Sequence, residues 1–300
     1  MHDLIIIGAG PAGITAAVYA ARKRMNLLVI AKDIGGQAAL SGDIENYTGY
    51  QFITGPELAL KFQEHIKRFD IKLNMPEEAR DIKIEENSLK TITDKGEYQS
   101  RAVIIATGAK PRLLNIQGEE AYKNKGLTYC ATCDGPLFKG KAVAIVGGGN
   151  SALDAALQLI KISPRVYIIN ISESLTADAV MAEKALAAPN VEVFNNAQVQ
   201  NIYGDSFLRG IKVKEKDKEL DLKVEGIFVE IGYIPNSGFI KQVKKNNSNE
   251  IIIDRENRTS IEGIFACGDV SDVGEKQIII ACGEGAKASL SVFQYLSSRK

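Results

Sequence analysis

The sequence predicts an α/β fold: two Rossmann-like, doubly wound, three-layer dinucleotide-binding domains, the second inserted in the first. Three observations carry that expectation. Short β-branched runs alternate with helical segments along the chain. A glycine-rich turn stands between a strand and a helix twice, at 8–13 and at 147–152. The length, 300 residues, is about two domains of chain. A strand that feeds a helix through a glycine turn and returns as a second strand is the unit from which parallel, helix-covered sheets are built.

The elements follow in order. LIIIGAG, ITAAVYAARKR and LLVIAK form the first strand–helix–strand unit. Its strand begins almost at residue 1, with no basic region or cleavage site before it, so neither a secretory leader nor an N-terminal accessory domain is expected. IKIEENSLKTITD and AVIIATG alternate apolar and polar residues and read as an antiparallel meander capping that unit. A junction follows Pro111. AVAIVGGG, SALDAALQLIKI and RVYIIN form the second unit. VEVFNNAQVQNI, FLRGIKVKEK and LKVEGIFVEIG read as its meander, with Lys212 to Lys223 a solvated hairpin. The polar run KKNNSNE, 244–250, reads as a linker or loop. A short apolar strand, a Gly-Asp turn and a closing amphipathic helix then return to the first domain. The expected boundaries are 1–112 plus 245–300 for the first domain and 113–244 for the second.

Composition removes several functional classes. Lys plus Arg and Asp plus Glu are 37 each, so the formal charge is zero and offers no electrostatic footprint for nucleic acid or an anionic membrane. No stretch approaches the ~20 apolar residues of a membrane helix. The only histidines are His2 and His65, which argues against histidine-assisted nucleophiles and histidine metal sites. Four cysteines are too few for a disulfide-stapled secreted domain, and a cytoplasmic location is expected.

Gly8, Gly10 and Gly13 form G-x-G-x-x-G. The first glycine permits the tight turn, the second lets backbone approach a pyrophosphate, and the third lets helix and strand pack closely. The helix N-terminus then meets the anion with free N–H groups. Asp33 stands where a ribose-binding acid is expected. The alternative is a tight turn without a ligand. Gly147, Gly149 and Ala152 repeat the pattern, with Asn150 and Ser151 inside the turn. Here the acid position falls near Asn170 and Glu173, and no Lys or Arg occurs from Val166 to Glu183. A 2′-phosphate adds about −1.5 to −2 charges and is usually met by Arg. NADPH is therefore disfavoured, and NADH is expected through hydroxyl contacts from Asn170 or Glu173. The alternative is a scaffold that no longer binds a nucleotide.

Cys130 and Cys133 lie in GLTYCATCDGPLF. A C-x-x-C neighbour lowers the pKa of an attacking sulfur and resolves a mixed disulfide. Asp134 follows and is placed to move a proton. A zinc half-site or two buried cysteines are the alternatives, but Cys267 and Cys282 lack metal-ligand spacing and read as small core residues, so no metal is expected.

GAGPAG (8–13), GGQ (35–37), ENYTG (45–49), ATGA (106–109), CATCDG (130–135), GGGNSA (147–152), CGDV (267–270) and KQ (276–277) together resemble low-molecular-weight thioredoxin reductases over nearly the whole chain. DIENY, CDGPLFKGK, GIFVEIGYIPN and IIIACGEGAKASLS most resemble the C-terminal portion of the alkyl hydroperoxide reductase flavoprotein subunit, which carries an extra N-terminal domain. The resemblance implies FAD on the first domain, a homodimer, and a thioredoxin- or glutaredoxin-like acceptor. Gly8, Gly10, Gly13, Gln37, Asn46, Asp269 and Gln277 match family positions that contact the flavin, with Gly36, Thr107, Gly108 and Lys276 in the same motifs. By the same likeness Cys133 faces the flavin, Cys130 attacks the partner disulfide, and Asp134 is its acid. The family alternates between two domain orientations, which fits linkers near Pro111–Asn115 and Lys241–Asn247. Two departures stand out. NISESLTAD (170–178) replaces the family's cationic NADPH-reading segment, and Glu275 replaces an aromatic residue in the C-terminal flavin loop. Rival readings are a ferredoxin or deazaflavin donor, a ferredoxin–NADP reductase (a scaffold without the C-x-x-C), and a flavin-bound redox sensor.

Overall fold

A computed structural model describes every residue except Gly42, Asp217 and Lys300, and leaves the side chain of Asp43 undescribed. The chain divides into two units, 1–110 with 234–300, and 111–233. Its two crossings, Ala109–Pro111 and Tyr233–Pro235, pair with each other as a two-stranded ribbon.

In the first unit the strand His2–Ala9 pairs in parallel with Leu27–Ile34 on one side and with Glu97–Ile105 on the other. Strand alternation sends successive residues to opposite faces. Leu4 and Ile6 enter one fully buried cluster, with the helices Pro11–Arg22 and Ile278–Ser297. Ile5 and Ile7 enter another, with Ile240, Val243 and Ile251. Because the strand is covered on both faces, it reads as a continuous apolar run. The long strand Glu97–Ile105 has two neighbours on its far edge. Its first half pairs antiparallel with Leu89–Thr93, and its last residues pair in parallel with Ile264–Ala266. That second pairing is what sews the returning chain into the first unit.

The expected linker at 244–250 belongs to this packing. Val243 and Ile251 flank it and are both buried in the core, so the return crossing falls at 233/234 instead of beyond residue 244. The helix Gly55–Ile66 starts with a capping box: the Thr54 hydroxyl accepts from the Glu57 amide, and the Glu57 carboxylate accepts from the Thr54 amide at 3.0 Å.

The second unit has a five-stranded, wholly parallel sheet in the order Leu127–Thr128, Gly226–Val229, Val143–Val146, Val166–Asn170, Val191–Asn195. The helices Asn150–Leu159 and Ala179–Leu186 bury their apolar faces on one side. A three-stranded antiparallel sheet, Ala197–Gly204, Leu208–Glu215 and Lys218–Lys223, buries Val199, Ile211 and Val213 on the other. The meander expected from 191 to 229 is therefore shorter than its sequence. Its first and last strands join the parallel sheet, and GIFV, buried at every position, carries the continuous apolar signature of such a strand. AVII of the first unit does likewise. The hairpin from Lys212 to Lys223 forms, with Asp217 outside the described residues. Among the described residues no helix is long and apolar enough to cross a membrane.

Candidate functional site

The first glycine turn is packed around backbone. Gly8 holds φ +110°, and a Cβ there would stand 2.3 Å from the Ala106 carbonyl oxygen. A Cβ on Gly13 would stand 1.9 Å from the Gly8 carbonyl, so the helix Pro11–Arg22 sits directly on the strand that precedes it. Gly10 differs. A Cβ there would meet only the Gly36 Cα, at 4.0 Å, which leaves a cradle between two side-chain-free backbones. Asp33, exposed at the end of its strand, shapes the far wall by accepting the Gly36 amide at 3.2 Å.

The other predicted contacts of this unit gather from distant segments. The Asn46 amide donates to the Gln277 side-chain oxygen at 3.2 Å, and the Gln37 amide donates to the Ala109 carbonyl. Gln277 is the N-cap of the closing helix. The Thr107–Gly108 turn is clasped by Asn236. Its amide donates to the Thr107 carbonyl at 2.9 Å, its backbone carbonyl accepts the Thr107 hydroxyl at 2.8 Å, and its N–H bonds the Gly108 carbonyl at 2.9 Å. Asp269 is largely buried, and its carboxyl receives no hydrogen bond from the described residues. Burial pushes its pKa up, partly offset by Lys276. A buried carboxyl without a donor is costly unless a ligand supplies one. The cradle and this carboxyl fit a dinucleotide. Lys276 has a different duty from the expected one. Its ammonium is tied to the Ser271 carbonyl at 2.6 Å and to Glu250 at 2.9 Å, so it holds the loop.

In the second unit the Asn150 side chain accepts the Asp178 amide at 2.8 Å, folding the segment 172–178 back over the glycine turn, where Thr176 and Ala177 donate to the Gly148 carbonyl. Gly149 caps the helix, Ser151 and Glu173 are exposed, and Ala152 is fully buried. Asn170 is not available as expected. It is 3% exposed, and both its amide protons are committed, to Ser172 and to Asn195 at 2.8 Å. It braces the turn, because a side chain on Gly148 would run into it at 2.4 Å. The cation-free sequence window also acquires neighbours. Lys214 and Lys216 join Ile171, Asn196, Ala197 and Gln198 around a cavity of about 300 Å³.

The two cysteines form a disulfide, Cα–Cα 5.3 Å. Cys130 is half-buried and caps the short helix Ala131–Asp134, its sulfur accepting the Cys133 amide at 3.2 Å, while Cys133 is exposed. Ties from all sides fix this segment. The Thr128 hydroxyl donates to the Asp134 carboxylate. The Tyr129 hydroxyl donates to buried Glu119 at 2.9 Å, and Glu119 also accepts the Leu114 and Asn115 amides. The Tyr129 carbonyl accepts the Tyr233 hydroxyl at 2.7 Å. Gln158 donates to Asp154 at 2.8 Å and to the Thr132 hydroxyl at 3.4 Å. Glu230 accepts the Ala131 amide at 3.2 Å, and burial raises its pKa to about 7. Glu119, Tyr129, Glu230 and Asn236 belong to no short motif, because each acts through partners that only the folded backbone brings to it. Cys267 is fully buried in the core and Cys282 nearly so, and burial holds both thiols above their usual range.

Residues 2–285 match the family model of the pyridine nucleotide-disulphide oxidoreductases. The chain belongs to that family. It is 42% identical over 301 residues to the F component of the alkyl hydroperoxide reductase of Pseudomonas putida, and 39% identical over 297 residues to a protein of Bacillus subtilis (strain 168) named NADH dehydrogenase. Each match takes in 98% of this chain but 58% of the relative's length. Among solved structures, a thioredoxin reductase from Streptococcus pyogenes MGAS5005 superposes with TM-score 0.94 at 36% identity, over 99% of both chains. The resemblance read from the motifs and the fold of two dinucleotide-binding domains are thereby shown, and with them the oxidoreductase family. The closed Cys130–Cys133 pair fits a redox dithiol.

Proposed function

We propose that this pyridine nucleotide-disulphide oxidoreductase is an FAD-dependent disulfide reductase. It passes electrons from NADH through the flavin and the Cys130–Cys133 pair to a thioredoxin- or glutaredoxin-like protein. One observation carries the reading. Glu230 holds the redox segment by the Ala131 amide, while its own carbonyl lies against Gly147, so the disulfide and the second glycine turn are built on the same residue. The likeness to thioredoxin reductases supports the acceptor class, and the name of the Bacillus relative supports NADH.

FAD, when bound, supplies a two-electron carrier between nucleotide and disulfide. Gly10 and Gly36 would cradle its pyrophosphate, and Asp269 would take a hydroxyl. Two electrons open the Cys130–Cys133 bond. The Cys130 thiolate then attacks the partner disulfide, forming a mixed disulfide and releasing one partner thiolate, which takes a proton from Asp134. Cys133 attacks Cys130, restores the internal disulfide and releases the second partner sulfur. For turnover the pair must be poised near thioredoxin, about −270 mV. A homodimer and a cytoplasmic location follow from the resemblance as parts of the same proposal.

The donor has a second reading with an observation behind it. Lys214 and Lys216 beside Ile171 place cations at the edge of the segment that follows the nucleotide strand. At an effective dielectric near 20, one charge pair at 4 Å is worth roughly 4 kcal/mol, enough to restore NADPH. Anaerobic titration of the flavin with each nucleotide separates the two. Bleaching by NADH in seconds, with NADPH at least about tenfold slower, supports the first reading, and the reverse order supports the second. Cys133→Ser tests the pathway. Its flavin should still be reduced by the donor, while protein-disulfide reduction is abolished. Normal disulfide turnover in that variant refutes the assignment.

A further inference from the structure

Glu230 is a carboxyl that the proposed pathway does not use. It follows the strand Gly226–Val229, its N–H donates to the Val146 carbonyl at 2.8 Å, and its side chain reaches the redox segment. There it accepts the amide of Ala131, the residue next to Cys130. We propose that Glu230 is a positioning residue that couples the protonation of its buried carboxyl to the reduction of the Cys130–Cys133 disulfide. The inference rests on the redox reading of that pair.

The charges around Glu230 support the coupling. Asp154, on the helix Asn150–Leu159, acts on it with like charge, and no cation offsets that among the groups acting on it. Asp134 closes the far end of the same short helix, bonded to Thr128. The disulfide itself is uncharged. Reduction breaks the S–S bond with an electron pair that originates in the nucleotide, which is oxidised, and leaves two sulfurs that each carry a charge or take a proton from solvent. An anionic sulfur on half-buried Cys130, one residue from the amide that the Glu230 carboxylate accepts, adds a second negative charge to the same segment, so the two ionisations oppose each other. With the carboxyl titrating near pH 7, its proton is present or absent within the working range. A protonated Glu230 favours the thiolate, and an ionised one raises the thiol pKa. The amide bond to Ala131 transmits the same state to the backbone, because an ionised acceptor makes the stronger hydrogen bond.

The test needs neither donor nor acceptor. The holoprotein is reduced with dithiothreitol and freed of it without oxygen. Iodoacetamide labelling of Cys130 and Cys133 is then followed by mass from about pH 5.5 to pH 9, because only thiolate reacts. In the wild type the rate profile should show two ionisations, one near pH 7 from Glu230 and a higher one from the thiol. Glu230→Gln keeps an acceptor for the Ala131 amide but cannot ionise. It should lose the lower ionisation and react about threefold or more faster between pH 7 and the thiol pKa, where the wild-type carboxylate suppresses the thiolate. Asp154→Asn, on an exposed residue, should move the lower ionisation to lower pH. A Glu230→Gln profile that superimposes on the wild type overturns the proposal, and so does a lower ionisation that Asp154→Asn leaves in place. Should the Gln variant fail to fold, the Asp154 variant decides alone. Disulfide turnover in Cys133→Ser would instead remove the redox pathway and leave this titration as it stands.

Discussion

Glu230 carries its cost at the residue scale. Its carboxyl titrates near 4.5 in the unfolded chain and about 7 in the fold, with desolvation by burial the main cause and Asp154 adding to it. Between those values the unfolded state sheds the proton and the fold keeps it. Stability therefore falls as pH rises through this window, and the full cost is present above pH 7. At 1.36 kcal/mol per pKa unit the cost reaches about 3 kcal/mol. Glu230→Gln should be as stable as the wild type near pH 4.5 and up to about 3 kcal/mol more stable at pH 8. Denaturant melts at the two pH values check this, and an equal difference at both would show that packing, not titration, sets it. A fold that keeps such a carboxyl on the Ala131 amide keeps it against its own stability.

At the scale of elements, the first glycine turn is the most constrained piece of backbone. Gly13→Ala places a methyl group 1.9 Å from the Gly8 carbonyl, which only a displacement of helix from strand relieves. The expected outcome is loss of bound FAD with a fall in melting temperature, measured by flavin absorbance and thermal melts. A variant that binds FAD with wild-type affinity would contradict the close packing. This turn was legible in the sequence because strand, glycines and helix are contiguous. The strands Val191–Asn195 and Gly226–Val229 were not. Each is followed or preceded by alternating residues that suit an antiparallel meander, and only their partners in the parallel sheet decide the matter. The domain boundary expected at 244/245 moved for the same reason. The polar residues 244–250 form the loop they signal, but Val243 and Ile251 on either side anchor it in the core of the first unit.

Across the whole molecule, each unit owns its cores. The clusters around Leu4 and Ile5 lie in the first, and those around Ile145 and Ile211 in the second. Two separately packed cores are expected to unfold as two cooperative transitions, each moved only by the ligand its own unit binds. Differential scanning calorimetry should show FAD raising one transition and the preferred nicotinamide nucleotide raising the other. One transition that shifts as a whole with either ligand would contradict this. The donor question belongs to this scale as well. A window of sequence from 166 to 183 lacks cations, yet the hairpin brings Lys214 and Lys216 to Ile171.

The amino-acid sequence by itself determined the two glycine turns, the C-x-x-C pair, the order of the motifs and the family they belong to. Each of these is a short run whose geometry follows from its own residues, and such runs survive being read one at a time. The tertiary structure alone decided that Asn46 meets Gln277, that Asn236 clasps Thr107, that Asn170 and Lys276 are structural braces, and that Glu230 holds the Ala131 amide next to Cys130. Those bonds join residues whose pairing no local pattern encodes, because hydrogen-bonding side chains take whichever partner the folded backbone delivers, and burial then sets what each bond and each charge is worth.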